Sequence, residues 1–170
     1  MLKQKVELLW FMLGVMALMF GTLVYITERN PDDIYFLSRS FSLFHAKLEI
    51  FGRHGDYLPT LLHSFALILM TATAIGKHKV SAITVTLFWM LIEISFELAQ
   101  TQFMSNWILS NIPHWFEHLP VLENTYSYFR HGGFNVMDLA AILIGSVAAY
   151  LLIKLTKRSD NNDVLEIQTV

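Results

Sequence analysis

The chain has 170 residues, of which 54% are hydrophobic and 15% charged, with a formal net charge of −2 and no cysteine. Soluble domains carry roughly 25% charged residues, so this composition excludes an ordinary soluble fold and describes an integral membrane protein. The slightly acidic balance argues against nucleic acid as a partner. Without cysteine there is neither a disulfide framework nor thiolate chemistry, and the length suits one domain.

Lys3 and Lys5 precede a long apolar run over 8–27. The run is longer than a signal-peptide core and Tyr25, Ile26 and Thr27 make no small-residue cleavage site, so it is expected to stay as an anchor. Three further apolar runs follow, over about 58–75, 80–100 and 136–155. Each approaches the ~20 residues a helix needs to cross hydrocarbon. Trp10 and Tyr25 lie near the ends of the first span, where aromatics favour the membrane interface. Pro59 enters the second, a position tolerated in a first helical turn. The expected fold is therefore all-α: one polytopic transmembrane domain over 1–158 with four spans, and a disordered polar tail over 159–170.

Basic residues set the orientation, those of the two long loops (Arg29, Arg39, Lys47, Arg53 and Arg130) being diluted by acidic neighbours and distance. Lys3 and Lys5, Lys77 and Lys79, and Lys154, Lys157 and Arg158 all fall on one side of the four spans. The positive-inside rule puts that side, and both termini, in the cytoplasm of a multi-pass plasma-membrane protein. Two long loops then lie outside. In the first, over 28–57, apolar residues interrupted by Ser38, Arg39, Ser42 and Lys47 predict an interfacial helix. The second, over 101–133, holds Trp107, Trp115, Phe116, Tyr126, Tyr128 and Phe129, a density suited to the headgroup level, and Pro113 and Pro120 break it into short pieces. Gly132 and Gly133 lead into the fourth span.

The third span carries Glu93, Glu97 and Gln100 at i, i+4 and i+7, on one helical face. A carboxylate at membrane depth costs about 2.5–3.5 kcal/mol on insertion scales, so these groups call for partners inside the bundle. Counting 1.5 Å per residue from the outer boundary, His63 on the second span, Glu97 and Gln100 on the third and Asp138 on the fourth reach similar depth, with Glu93 about 6 Å further in. These five residues form a candidate outer pocket in which Glu97 reaches His63 or Asp138. Each has a plainer reading. His63 suits a helix-interface histidine, Glu93 an interior hydrogen-bonding acid, and Asp138, three residues after Asn135, a helix-capping acid.

His114, Glu117 and His118 spell H-x-x-E-H, a pattern of zinc peptidases. The flanking prolines leave a short helix and no third ligand is defined, so no metal is expected there. There is no G-x-S-x-G, P-loop or dinucleotide fingerprint, and no cofactor is expected.

Three short stretches resemble the VanZ-like membrane protein family: Leu62, His63, Ser64 and Phe65 opening the second span, Glu97 and Gln100 as E-x-x-Q closing the third, and the run from Gly133 through Asn135 and Asp138 to Gly145 opening the fourth. The resemblance covers about 54–155. Leu58 and Pro59 stand where the family often has an Asp-Lys pair, and Asn135 where related sequences often have Asp. The resemblance implies a cell-envelope role associated with tolerance to glycopeptide antibiotics such as teicoplanin, and names no reaction. Three functions compete: binding of membrane lipids or an envelope precursor in the outer pocket; ion- or proton-coupled transport through Glu93 and Glu97; and hydrolysis or group transfer with His63 as base, oriented by Glu97 or Asp138. The inner halves of the second and third spans carry hydroxyls such as Thr71, Thr73, Ser81, Thr84 and Thr86 but no charge, which disfavours transport. Oligomeric state is not encoded in any pattern found.

Overall fold

The computed structural model describes residues 2–28, 50–76 and 81–168. Among them six α-helices follow one another: α1 (Leu2–Glu28), α2 (Leu58–Ile75), α3 (Ala82–Ala99), α4 (Gln102–Asn111), α5 (Thr125–His131) and α6 (Val136–Gln168). Short 3₁₀ turns cover Gly52–Gly55, His114–His118 and Leu122–Asn124, and there is no strand among the described residues. Four of the helices are long and apolar enough to cross a membrane, over Lys5–Glu28, Leu58–Ile75, Ala82–Ala99 and Val136–Thr156. The expected interfacial helix of the first loop and the Lys77–Lys79 turn lie outside the described residues.

Local sequence accounts for the ends. α2 carries Pro59 in its first turn, where no intrahelical N–H is required, and stops at Gly76, whose N–H reaches back to Ala72 and Thr73 carbonyls. Ser81 caps α3, its hydroxyl accepting from the Thr84 N–H at 3.2 Å. α4 ends before Pro113, which fits the restriction proline places on the residue ahead of it. α6 runs on through Gln168, into the polar stretch expected as a tail; that stretch holds no proline or glycine, so nothing in it terminates an established helix.

α2 is the central element, packed against α1, α3 and α6. Its buried residues Ile68, Leu69 and Ala72 meet Trp10, Val85, Ala149 and Ile153 in one apolar core. Trp10 is thus not an interfacial aromatic. It is fully buried, and its indole N–H donates to Thr156 Oγ1 at 3.1 Å, the partner a buried indole needs. Trp89 likewise donates to Thr71 Oγ1 at 2.8 Å. The opposite faces of the long helices expose large apolar side chains, among them Met16 and Met19 on α1, Leu91 and Phe96 on α3, and Ile144 and Leu155 on α6. Apolar faces this extensive need a hydrocarbon environment or a protein partner.

α2 and α6 approach so closely that one position must lack a side chain. A Cβ on Gly145 would stand 2.3 Å from the Leu61 carbonyl oxygen and 3.2 Å from Ser64 Cβ. Small residues at such crossings let backbones close up in membrane helices. Gly145→Ala is therefore expected to cost about 1–3 kcal/mol through overpacking, measured by reversible denaturation in detergent. Gly133→Ala is the control: nothing lies within 4 Å of a Cβ there, and equal losses for the two would contradict the packing.

Candidate functional site

His63, Glu93, Glu97, Gln100 and Asp138 lie at the end of the bundle where α2 begins, α3 ends and α6 begins. Each is held there by a specific neighbour.

Glu97 is 6% exposed, near the C-terminal end of α3. Its carboxyl accepts the backbone N–H of Asn135 at 2.6 Å and the Gln100 side-chain amide at 3.4 Å. Asn135 immediately precedes α6 and caps it, with its Oδ1 accepting the Met137 N–H at 3.0 Å. In a capping box the acid three residues after the cap accepts the cap's own N–H. Here Asp138 holds that position, but Glu97 supplies the acceptor from another helix. Asp138 turns instead to α2, where the Thr60 hydroxyl donates to it at 2.9 Å. Both acids therefore sit at the N-terminus of α6, where the helix dipole favours negative charge.

Gln100 extends the network to α5. Its amide donates to the Tyr128 hydroxyl at 2.7 Å. Gly132 makes room for this contact, since a Cβ there would lie 2.9 Å from Gln100 Oε1 and 2.5 Å from the Tyr128 carbonyl oxygen. Ser105 on α4 donates to the Phe129 carbonyl oxygen. Hydrogen bonds thus tie α5 to the end of α3 and α4 to α5.

Glu93 lies one turn deeper on the same face. One carboxyl oxygen is hydrogen-bonded to the hydroxyl of the fully buried Ser64, which also lies 3.0 Å from the Thr60 carbonyl oxygen and shares its one hydrogen between the two acceptors. The other stands 3.4 Å from His63 Nδ1 and has no hydrogen-bond donor. The Glu93 side chain is 10% exposed and that of His63 46%. His63 is accordingly the one member of the five expected residues that opens broadly to the surroundings.

All five residues expected from the sequence come to this end of the bundle, in two groups. Glu97, Gln100 and Asp138 meet around the start of α6, and His63 meets Glu93 rather than Glu97. The sequence reading did not identify Thr60 or Tyr128 as partners, and it missed the Asn135 main chain as Glu97's donor. Thr60 and Ser64 do share a face of α2 at i and i+4, a spacing that marks a hydroxyl stripe. Tyr128 carries no signal beyond its place in an aromatic-rich loop. An open groove of about 460 Å³ lies on a neighbouring face of α3, lined by Leu91, Ile92, Ser95, Phe96, Ala99, Ile108 and Phe129. Its lining is apolar apart from Ser95, whose hydroxyl donates to the Leu91 carbonyl at 2.7 Å, so the groove and the acidic site are separate features.

His114, Glu117 and His118 form a 3₁₀ turn and are exposed. With three residues per turn, positions four apart are offset by about 120°, so the two histidines do not share a face as they would on an α-helix. Among the described residues no group of three or more His, Cys, Asp or Glu side chains is placed to hold a metal.

No family model, no curated protein and no solved structure matches the chain.

Replacing Glu97 separates the acceptor from its charge. Glu97→Gln keeps an oxygen for the Asn135 N–H and is expected to cost about 1 kcal/mol, the gap between charge-assisted and neutral hydrogen bonds. Glu97→Leu leaves that partly buried donor without this acceptor and is expected to cost about 1–2 kcal/mol more. Denaturant titration of the purified variants measures both; identical midpoints for Gln and Leu would show that the acceptor does not hold α6.

Proposed function

We propose that this chain is a VanZ-like integral membrane protein of the bacterial cell envelope, multi-pass in the plasma membrane with both termini cytoplasmic, whose outer-leaflet polar site binds a lipid headgroup or an envelope precursor. One observation carries the reading: the three separated stretches on which the resemblance rests come into contact. The fourth-span stretch touches the other two, Glu97 holding Asn135 and Gly145 standing against Ser64, and Ser64 also meets Glu93, one turn before Glu97. Residues spread over more than eighty positions thus build one corner of the bundle.

The arrangement suits recognition better than transport. The acidic side chains of α3 and of the apolar part of α6 lie in this corner, and Trp10, Ile68, Leu69, Ala72, Val85, Ala149 and Ile153 form an apolar core. Ion transfer across hydrocarbon calls for polar groups along the depth of the path. A second reading, hydrolase or transferase, draws on the 3.4 Å approach of Glu93 to His63 Nδ1, since a carboxyl group beside one imidazole nitrogen orients the other for proton transfer.

Lipid mass spectrometry on gently purified protein tests binding. The wild type is expected to retain a defined lipid or envelope precursor, and His63→Ala to retain at least fivefold less at unchanged thermal stability. Retention that matches bulk membrane composition in both proteins would remove the reading. A periplasm-specific reporter fused after Val170 is expected to be inactive; an active fusion would overturn the orientation.

A further inference from the structure

We infer that the ligand group taken by this corner is a primary ammonium, the amine of a lipid headgroup, received by Glu93 beside His63. The inference rests on the headgroup-binding reading and names the chemistry of that ligand.

Charge comes first. The three helices that build the corner carry Glu93, Glu97 and Asp138, and no Lys or Arg occurs in α2, in α3, or in α6 before Lys154. A phosphate or carboxylate entering here meets carboxyl groups without a permanent cation on these helices to offset them. In a low-dielectric setting such like-charge approach is costly. A cation is favoured by the same field.

Hydrogen bonding selects among cations. Glu97 and Asp138 are engaged at the start of α6 by Asn135, Gln100 and Thr60. Glu93 differs. Its inner oxygen takes the Ser64 hydroxyl, while Oε1 is buried and receives no hydrogen bond. A buried acceptor in that condition calls for a donor. His63 lies 3.4 Å from Oε1 without hydrogen-bond alignment, and its side chain is 46% exposed against 10% for Glu93. A primary ammonium brings what the position lacks: a positive charge for the acidic corner, one N–H for Glu93 Oε1, and a second N–H for an acceptor nitrogen of the His63 imidazole. A trimethylated ammonium carries the charge but no N–H, and a glycerol headgroup carries O–H donors but no cation. The two requirements together therefore separate an ethanolamine-type headgroup from both.

The test uses the full-length protein in nanodiscs with equal parts phosphatidylethanolamine, phosphatidylcholine and phosphatidylglycerol, followed by detergent extraction and mass spectrometry of the retained lipid. Wild type is expected to enrich phosphatidylethanolamine at least fivefold over each of the others. Glu93→Gln removes the carboxyl group while keeping an oxygen for Ser64, and is expected to bring the enrichment to within twofold of the input. His63→Ala gives an independent reading should Glu93→Gln fail to fold, with the enrichment again falling. Equal retention of the ethanolamine and choline lipids, or preference for the glycerol lipid, would overturn the amine assignment; if that retention still depended on His63, headgroup binding itself would stand. Retention of all three at input composition would remove both.

Discussion

Glu97 accepts the N–H of Asn135 at 2.6 Å, and through that bond the end of one long helix fixes the beginning of another. An acid in an apolar helix is costly unless donors converge on it, and the start of a helix is a supply of donors without intrahelical partners. The two needs are met at once. Because α3 runs opposite to α6, the C-terminal end of one lies beside the N-terminal end of the other, and the acid can serve as a cap in trans. Asp138, released from the capping role its position suggests, binds Thr60 and brings in α2. The corner is thus a consequence of topology as much as of side-chain chemistry.

The elements legible in the sequence were those with long, one-dimensional signals. Four apolar runs appear as four long helices, and Pro113 does end α4 where its ring forbids continuation. Glu93, Glu97 and Gln100 share a face because a helix has a fixed pitch, and the structure turns that face inward. Partner choice was less legible. Depth arithmetic brought His63, Glu97 and Asp138 to one level, but it takes the helices as upright rods and ignores which way each side chain leaves its helix. His63 meets the acid one turn below the expected one. Trp10 shows the same limit. Position along the chain suggested the interface, whereas rotation about the helix axis put it in the core opposite Thr156. The backbone donor of Asn135 could not be read at all, since main-chain groups carry no sequence signal. The continuation of α6 to Gln168 reflects a further gap: polar composition marks what a segment buries poorly, and not whether a helix already under way will stop.

The three carboxyl groups at this end of the bundle have different partners. Two are engaged in holding helices together, and their removal is a question of stability. The third, Glu93, keeps an oxygen without a donor under a half-exposed histidine. This division of labour gives the proposed binding role a specific locus within an otherwise structural network. The apolar groove on the neighbouring face of α3 belongs to neither task, being lined by groups that need no polar partner.

The proposed binding site depends on His63 opening outward at a corner whose acidic members are buried or nearly so. The native chain has no cysteine, so single-cysteine variants report without background. In right-side-out vesicles, His63→Cys should react readily with a membrane-impermeant maleimide added outside, and Ser64→Cys, at a fully buried position one residue along, should stay protected. Labelling of His63→Cys only when the reagent reaches the cytoplasmic face, or equal labelling of the two variants, would contradict it.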